Sequence, residues 1–194
     1  MSKNLTDIQL SPLLKQKKLE MTAYHEAGHA VMRILLAIPF SYVTVFSKDG
    51  KVYGVTSSPD ITVNTLENLI ILCAGKIAES EWGPHEEKLF DDFETSQDYL
   101  DIKKILDIMA HTEELREILL YSAKKETKRV LMANQKSVKK IAQILLNRKK
   151  IQYEEVKTNM DLNHDCETSK YLFKEIMKNI QDDLDKKGIK TSSY

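Results

Sequence analysis

The sequence predicts a mainly α-helical fold with one small β-hairpin beside a helix that carries a metal-binding motif. Apolar residues recur at helical spacing over most of the 194 residues. Two short segments rich in β-branched and aromatic residues flank a strong turn signal, which is typical of a hairpin. The pattern His-Glu-x-x-His lies inside the first helical segment, at residues 25–29.

The two histidines of this motif, His25 and His29, are four residues apart. On a helix, side chains at this spacing share one face, with about 5–6 Å between their Cβ atoms. Two neutral imidazoles can therefore hold one zinc ion, which lowers the pKa of a bound water toward about 7. Glu26 follows the first histidine, and its carboxylate can take a proton as that water attacks a carbonyl carbon. The motif predicts a Zn2+ centre with Glu26 as the general base.

The motif lies in the second half of a predicted helix over residues 11–38, which ends before Pro39; a break near Lys15–Lys18 stays open. Apolar residues recur there at helical spacing: Leu19, Tyr24, Ala27, Val31, Ile34, Leu35 and Ile38. Because this pattern is independent of the motif, it favours a metal site over the alternative, a surface helix with two solvated histidines.

The predicted hairpin joins strands at residues 42–47 and 51–57 through Asp49-Gly50. Gly54 interrupts the second strand, which indicates a bulge or a close backbone approach. The edge of this hairpin can take up an extended polypeptide by backbone pairing, and a purely structural hairpin is an equal alternative.

The rest of the chain is predicted to be helical, apart from an acidic loop at 82–95 that can serve as a lid and a polar linker at 159–165. The predicted helices are 64–81, 96–111, 112–132, 136–147 and 167–187, with a short turn at 153–158. Small residues at Ala74, Gly75 and Ala78 would let the metal helix approach closely. The apolar stripe of the last helix fits packing on its own domain or contact with a partner; it comprises Leu172, Ile176, Ile180 and Leu184.

Composition gives no sign of a nucleic-acid or membrane partner, because 29 basic residues balance 29 acidic ones. Apolar runs are too short for a membrane span, and the first twenty residues lack the features of a signal peptide. The two cysteines, Cys73 and Cys166, provide no disulfide framework, and Cys73 is predicted to be core. We expect a soluble, cytoplasmic protein.

A catalytic zinc takes three protein ligands and keeps one open position, so the helix leaves one ligand to find. The candidates are Glu79, His85, Glu94, Asp98 and Asp101. Tyr24 and Tyr53 fit either core packing or contact with a developing oxyanion. A cysteine nucleophile in His164-Asp165-Cys166 is disfavoured, because adjacent residues do not form a working triad by themselves.

Residues 23–30, Ala-Tyr-His-Glu-Ala-Gly-His-Ala, resemble the metal motif of the FtsH-type zinc metallopeptidases. Three later segments resemble, in the right order, the family's Gly-Tyr-Thr strand, its small-residue helix and its closing segment; they are 54–56 with Pro59, 74–79 and 145–156. The resemblance covers about residues 20–157. It implies a flexible N-terminus (1–11), a peptidase domain (12–158), and a linker with a C-terminal helix (159–194).

The resemblance also implies the remaining site residues. The family's third ligand is an aspartate that opens a helix, and Ser96-Gln97-Asp98 fits it best, with Asp101 as the rival because the family's Thr-Thr-Gly-Ala lead is replaced here by residues 92–95. His25, His29 and Asp98 would then bind zinc. The strand residues Gly54, Val55 and Thr56 would bind substrate.

Members of that family are usually membrane-anchored and carry an ATPase domain, neither of which this sequence displays. We therefore expect a free-standing zinc endopeptidase that hydrolyses flexible or unfolded polypeptides without ATP, as a homo-oligomer or with a delivery partner. The alternative is a zinc-stabilised binding or adaptor module of the same fold with little turnover. The intact Glu26 favours the peptidase, since a structural metal site needs no base.

Overall fold

The computed structural model describes residues 11–48, 51–57, 65–84, 96–160 and 166–188. Within these residues the fold is mainly α-helical with one small antiparallel sheet, which confirms the predicted class. The elements in chain order are α1 (Pro12–Leu35), β1 (Tyr42–Lys48), β2 (Lys51–Ser57), α2 (Thr65–Trp82), α3 (Gln97–Met109), α4 (Glu113–Ala133), α5 (Gln135–Arg148), β3 (Lys150–Gln152), α6 (Tyr153–Asn159) and α7 (Cys166–Lys186).

Helix α1 starts with a strong N-terminal signal. The Ser11 hydroxyl accepts the Leu14 N–H at 3.3 Å, and Pro12 occupies the first helical position, where its missing N–H costs nothing. The helix runs without interruption through Lys15–Lys18, so the break that the sequence left open does not occur.

The end of α1 lies three residues before the predicted Ile38. Ala37 adopts a left-handed backbone conformation with φ 56°. The N–H groups of Ala37 and Ile38 then donate back to the carbonyls of Ile34 and Arg33, which closes the helix at Leu35.

Helix α1 lies at the centre of the fold and packs against α2, α5 and the sheet. Its contact with α2 is close because both helices present small residues. A Cβ on Gly28 would lie only 2.7 Å from the Ala78 Cβ and would also meet the Ala74 backbone. The predicted approach of the metal helix to the helix that carries Ala74 and Ala78 is confirmed.

The sheet has the order β2-β1-β3, with antiparallel pairing throughout. Strands β1 and β2 match the predicted hairpin; its turn, Asp49-Gly50, lies outside the described residues. Pairing continues through Val45 and Gly54, so there is no bulge. Gly54 instead lies directly against α1, where a Cβ would be 2.6 Å from the Glu26 Cγ. The close backbone approach was therefore the right alternative.

Strand β3 was not predicted, because three residues are too few to display a strand period. The change of chain direction at the end of α5 places these residues beside β1. Lys149 takes a left-handed conformation with φ 65°, and its carbonyl accepts the Val45 N–H at 2.8 Å and the Thr44 hydroxyl at 2.9 Å. These bonds direct the chain along the free side of β1.

Helix α7 packs on α4 through the predicted apolar stripe, and Ile176, Ile180 and Leu184 are buried there. The stripe thus packs on its own chain. Residues 161–165 of the predicted linker and 85–95 of the acidic loop lie outside the described residues. Cys73 is buried as predicted, and burial raises the pKa of its thiol to about 12. No helix in the described ranges has the length and apolar character to cross a membrane.

Candidate metal centre

Three side chains from two helices meet at the centre of the candidate site. Helix α1 directs His25 and His29 toward the start of α3, where the Ser96 hydroxyl accepts the Tyr99 N–H at 3.2 Å and caps the helix. This cap places Asp98 in the first turn. The Nε2 atoms of the two histidines are 3.0 Å apart, and Asp98 Oδ2 lies 2.9 and 3.0 Å from them.

The spacing of these three atoms fits a single small divalent cation. Donor atoms about 2.0–2.1 Å from a tetrahedral zinc lie roughly 3.3–3.4 Å from one another, so the cluster would need to open by only a few tenths of an ångström. The set of two imidazole nitrogens and one carboxylate oxygen matches the ligand types that zinc takes in catalytic sites.

The outer ring nitrogens fix the orientation of both imidazoles. His29 Nδ1 donates to the Ile71 carbonyl at 2.8 Å, and His25 Nδ1 donates to Glu79 Oε2 at 3.2 Å. A carbonyl only accepts, so neutral His29 carries its proton on Nδ1 and turns the lone pair of Nε2 toward the cluster. Partners of this kind behind metal-binding histidines fix the tautomer and raise ligand basicity. Lys76 holds Glu79 in turn, at 2.7 Å.

The cluster is strongly coupled electrostatically. Burial lowers the pKa of His25, but hydrogen bonds with Asp98 and Glu79 outweigh burial and raise it to about 10. Burial raises the pKa of Asp98, and the hydrogen bonds with His25 and His29 reverse this and hold it well below its ordinary value. The cluster therefore retains a proton that a divalent cation would displace.

Glu26 is buried beside the cluster, and its Oε2 accepts the Thr56 hydroxyl at 2.7 Å. The residue borders a cleft of about 310 Å³ that is also lined by Val52, Gly54, Lys76 and Asp98. A carboxylate, three potential ligands and an accessible space thus share one location.

The open edge of the sheet runs along this cleft. The Val45 N–H donates toward Lys149 on the β3 side, so alternate residues of β1 turn their backbone groups toward β2. On β2, the N–H and C=O groups of Val52, Gly54 and Thr56 consequently face away from β1. No strand in the described part of the chain pairs with that edge.

Two of the other third-ligand candidates, Asp101 and Glu79, lie outside the cluster of three. Asp101 is three residues further along α3 and accepts hydrogen bonds from Gln97 at 2.9 Å and Lys104 at 2.8 Å. Glu79 lies behind His25 rather than beside both Nε2 atoms. His85 and Glu94 lie outside the described residues, as do His164 and Asp165.

The three predicted strand residues divide between the two faces of the sheet. Gly54 and Thr56 face α1, whereas Val55 is 42% exposed on the opposite face. Tyr53 shares that outer face and stacks on Phe46 with 5.3 Å between ring centroids. Tyr24 packs against the core, and neither tyrosine lines the cleft.

Sequence reasoning assigned Gly75 only to helix packing and missed its place at the cluster. A Cβ on Gly75 would lie 2.6 Å from His25 Nε2 and 2.7 Å from His29 Cε1. The glycine therefore provides the space in which the two rings converge. The signal that could have found it is the small-residue stretch of α2, which was predicted to lie against the helix that carries the two histidines.

Comparison with known proteins adds no assignment: no family model and no curated protein matches this chain.

Proposed function

We propose that this protein is a zinc-dependent endopeptidase that cleaves flexible or unfolded polypeptides. The observation that carries the proposal is the convergence of His25, His29 and Asp98 within 3.0 Å of one another, beside the Glu26 carboxylate and an open cleft. The resemblance of residues 20–157 to the FtsH-type metallopeptidases agrees with it.

Each residue has a role in the proposed reaction. His25 and His29 would hold the metal through Nε2 and Asp98 through Oδ2. Bound zinc supplies a Lewis acid that acidifies water and polarises the scissile carbonyl. Glu26 takes the proton of the attacking water and later delivers it to the leaving amine. Glu79 and Ile71 keep the two imidazoles in the orientation that the metal requires.

The open edge of β2 supports the choice of substrate. An extended polypeptide can pair with the outward N–H and C=O groups of Gly54 and Thr56, which brings its backbone to the border of the cleft. Only a segment free of its own secondary structure can pair in this way. The 194 residues contain no Gly-x-x-x-x-Gly-Lys-Ser/Thr loop, and we expect hydrolysis without ATP. Folded substrates would need a delivery partner, and we place the activity in the cytoplasm.

The test is hydrolysis of unfolded casein by the purified chain, with metal content measured on the same samples. Wild-type protein should bind one zinc and cleave casein, and a chelator should stop cleavage until zinc is restored. Glu26→Gln should keep its zinc and lose about 10²–10⁴-fold in rate, because proton transfer typically contributes that much.

Two results would contradict the proposal. Cleavage by Glu26→Gln at the wild-type rate would remove Glu26 from its role. A fully zinc-loaded wild-type protein that cleaves no casein, with a fourth protein ligand closing the coordination shell, would identify a zinc-stabilised binding module instead.

A further inference from the structure

Thr56 makes a contact that its suggested role in substrate binding does not explain. Its side chain lies on the face of β2 that packs against α1, and its hydroxyl donates to Glu26 Oε2 at 2.7 Å. Among the described residues, no other group donates a hydrogen bond to this carboxylate. The buried base of the proposed reaction is therefore held by one neutral donor from the neighbouring strand.

Gly54 restricts the same carboxylate from the other side. A Cβ at this position would lie 2.6 Å from Glu26 Cγ and 2.7 Å from Thr22 Cγ2. The Glu26 side chain consequently rests on the bare backbone of β2, with Thr56 two residues further along the same face. The Oε2 atom of Glu26 accepts the Thr56 hydroxyl, and its Oε1 atom lies on the Gly54 side. Glu26 and Gly54 both border the cleft.

We propose that Thr56 is a positioning residue for Glu26: it fixes one carboxylate oxygen so that the other faces the attacking water. The proposal rests on the proposed peptidase function. A glutamate side chain has three rotatable torsions, and a displacement of about 1 Å at a reacting group can cost on the order of 10²-fold in rate. One short hydrogen bond to a carboxylate is strong enough to select a single orientation.

The position of Thr56 also links the base to the substrate. Its backbone groups lie on the open edge that would pair with an extended polypeptide, while its side chain holds Glu26. The same residue thereby fixes the distance between the base and the substrate backbone. This role predicts an effect on turnover, whereas a simple substrate contact predicts an effect on binding.

The experiment compares Thr56→Val, which keeps the shape and removes the donor, with Thr56→Ser, which keeps the donor. We expect Thr56→Val to lower kcat about 10–100-fold with KM for an unfolded peptide unchanged within about 2-fold. Zinc content should equal that of wild type. Thr56→Ser should restore kcat to within about 3-fold of wild type, since its hydroxyl can make the same bond. Thr44→Val is the matched control, because the Thr44 hydroxyl donates to the Lys149 carbonyl on the far side of the sheet.

The proposal would be overturned if Thr56→Val had the wild-type kcat or changed KM alone. It would also be overturned if Thr56→Ser were as slow as Thr56→Val. A double-mutant cycle of Thr56→Val and Glu26→Ala, measured by urea unfolding, tests the contact between Thr56 and Glu26 independently of peptidase activity. Non-additive unfolding midpoints with no wild-type cleavage would refute the peptidase while retaining the contact. Additive midpoints would refute the contact whatever the activity.

Discussion

The protein buries two glutamates, Glu26 on α1 and Glu126 on α4, and surrounds them differently. Glu126 is 3% exposed, and its Oε2 accepts hydrogen bonds from Arg129 Nε and from Asn179 of α7, both at 2.8 Å. Glu26 is 6% exposed and, within the described residues, accepts only the Thr56 hydroxyl.

We attribute a structural role to Glu126 and, under the proposed function, a catalytic role to Glu26. A buried charge is costly unless it is paired and hydrogen-bonded. Glu126 meets both conditions and joins α4 to α7. Glu26 accepts one hydrogen bond from the described residues and interacts with the charge of His25, which belongs to a cluster suited to a divalent ion. Its place beside this cluster, at the border of a cleft, makes Glu26 a candidate functional residue.

The largest predicted effect concerns Asp98, the proposed third metal ligand in the cluster beside Glu26. Asp98→Ala should lower zinc affinity by more than about 100-fold, because loss of even an outer partner of a ligand costs about 10–100-fold. Hydrolysis should disappear with the metal. Competition with a chromophoric chelator measures the affinity.

Asp101→Ala is the control for Asp98, since Asp101 is on the same helix and is paired with Gln97 and Lys104 at the surface. Its zinc affinity should equal that of wild type. Normal zinc binding by Asp98→Ala, or loss of zinc in Asp101→Ala, would show that the third ligand has been misassigned.

The next effect concerns the other glutamate. Glu126→Gln removes the charge beside Arg129 and weakens the bond from Asn179, so it should lower the free energy of unfolding by about 2 kcal/mol. Urea unfolding measures this change. Hydrolysis per folded molecule should stay at the wild-type value. A variant with full stability and reduced turnover would remove the distinction between the two glutamates.

The smallest effect concerns a second tie between α4 and α7. Lys125 donates to Asp183 at 2.7 Å and holds the pKa of that carboxyl below its ordinary value. Burial of the carboxyl acts in the opposite direction and is the weaker effect. A depressed pKa in the folded state contributes stability above the unfolded pKa of about 4, and this is lost as pH falls through the folded pKa.

Asp183→Asn should therefore cost more stability at pH 7 than near pH 2, as followed by urea unfolding at both pH values. The ammonium of Lys125 is exposed and solvent screens the pair, so the difference between the two pH values should be small. An equal loss of stability at both pH values would show that Asp183→Asn acts through packing rather than through charge.

The sequence was sufficient to predict the elements with a strong local pattern. The metal helix, the hairpin and the approach of α2 all follow from periodicity, turn residues and small side chains. It could not predict β3, whose three residues become a strand only because β1 offers a free edge. It also could not find Glu126, because the partner Asn179 is 53 residues away in the chain.

Within the site, residue type was predictable but distance was not. Glu79 on α2 and Asp98 and Asp101 on α3 are all acidic residues in helices, and the resemblance alone preferred Asp98. Only the fold separates Asp98 at the cluster from Glu79 one layer behind it and Asp101 at the surface. Thr56 was assigned to substrate through the resemblance, since nothing in a one-dimensional pattern indicates that its hydroxyl reaches Glu26.

The lack of a side chain at Gly75 has a consequence for how this centre can be lost. The two imidazoles occupy the volume that a methyl group at Gly75 would fill. A methyl group there would force both rings to move, so a residue without a functional group decides whether the two nitrogens can converge. A chain with every donor intact could still lose this arrangement through a single added carbon atom, and inspection of the motif alone would give no warning.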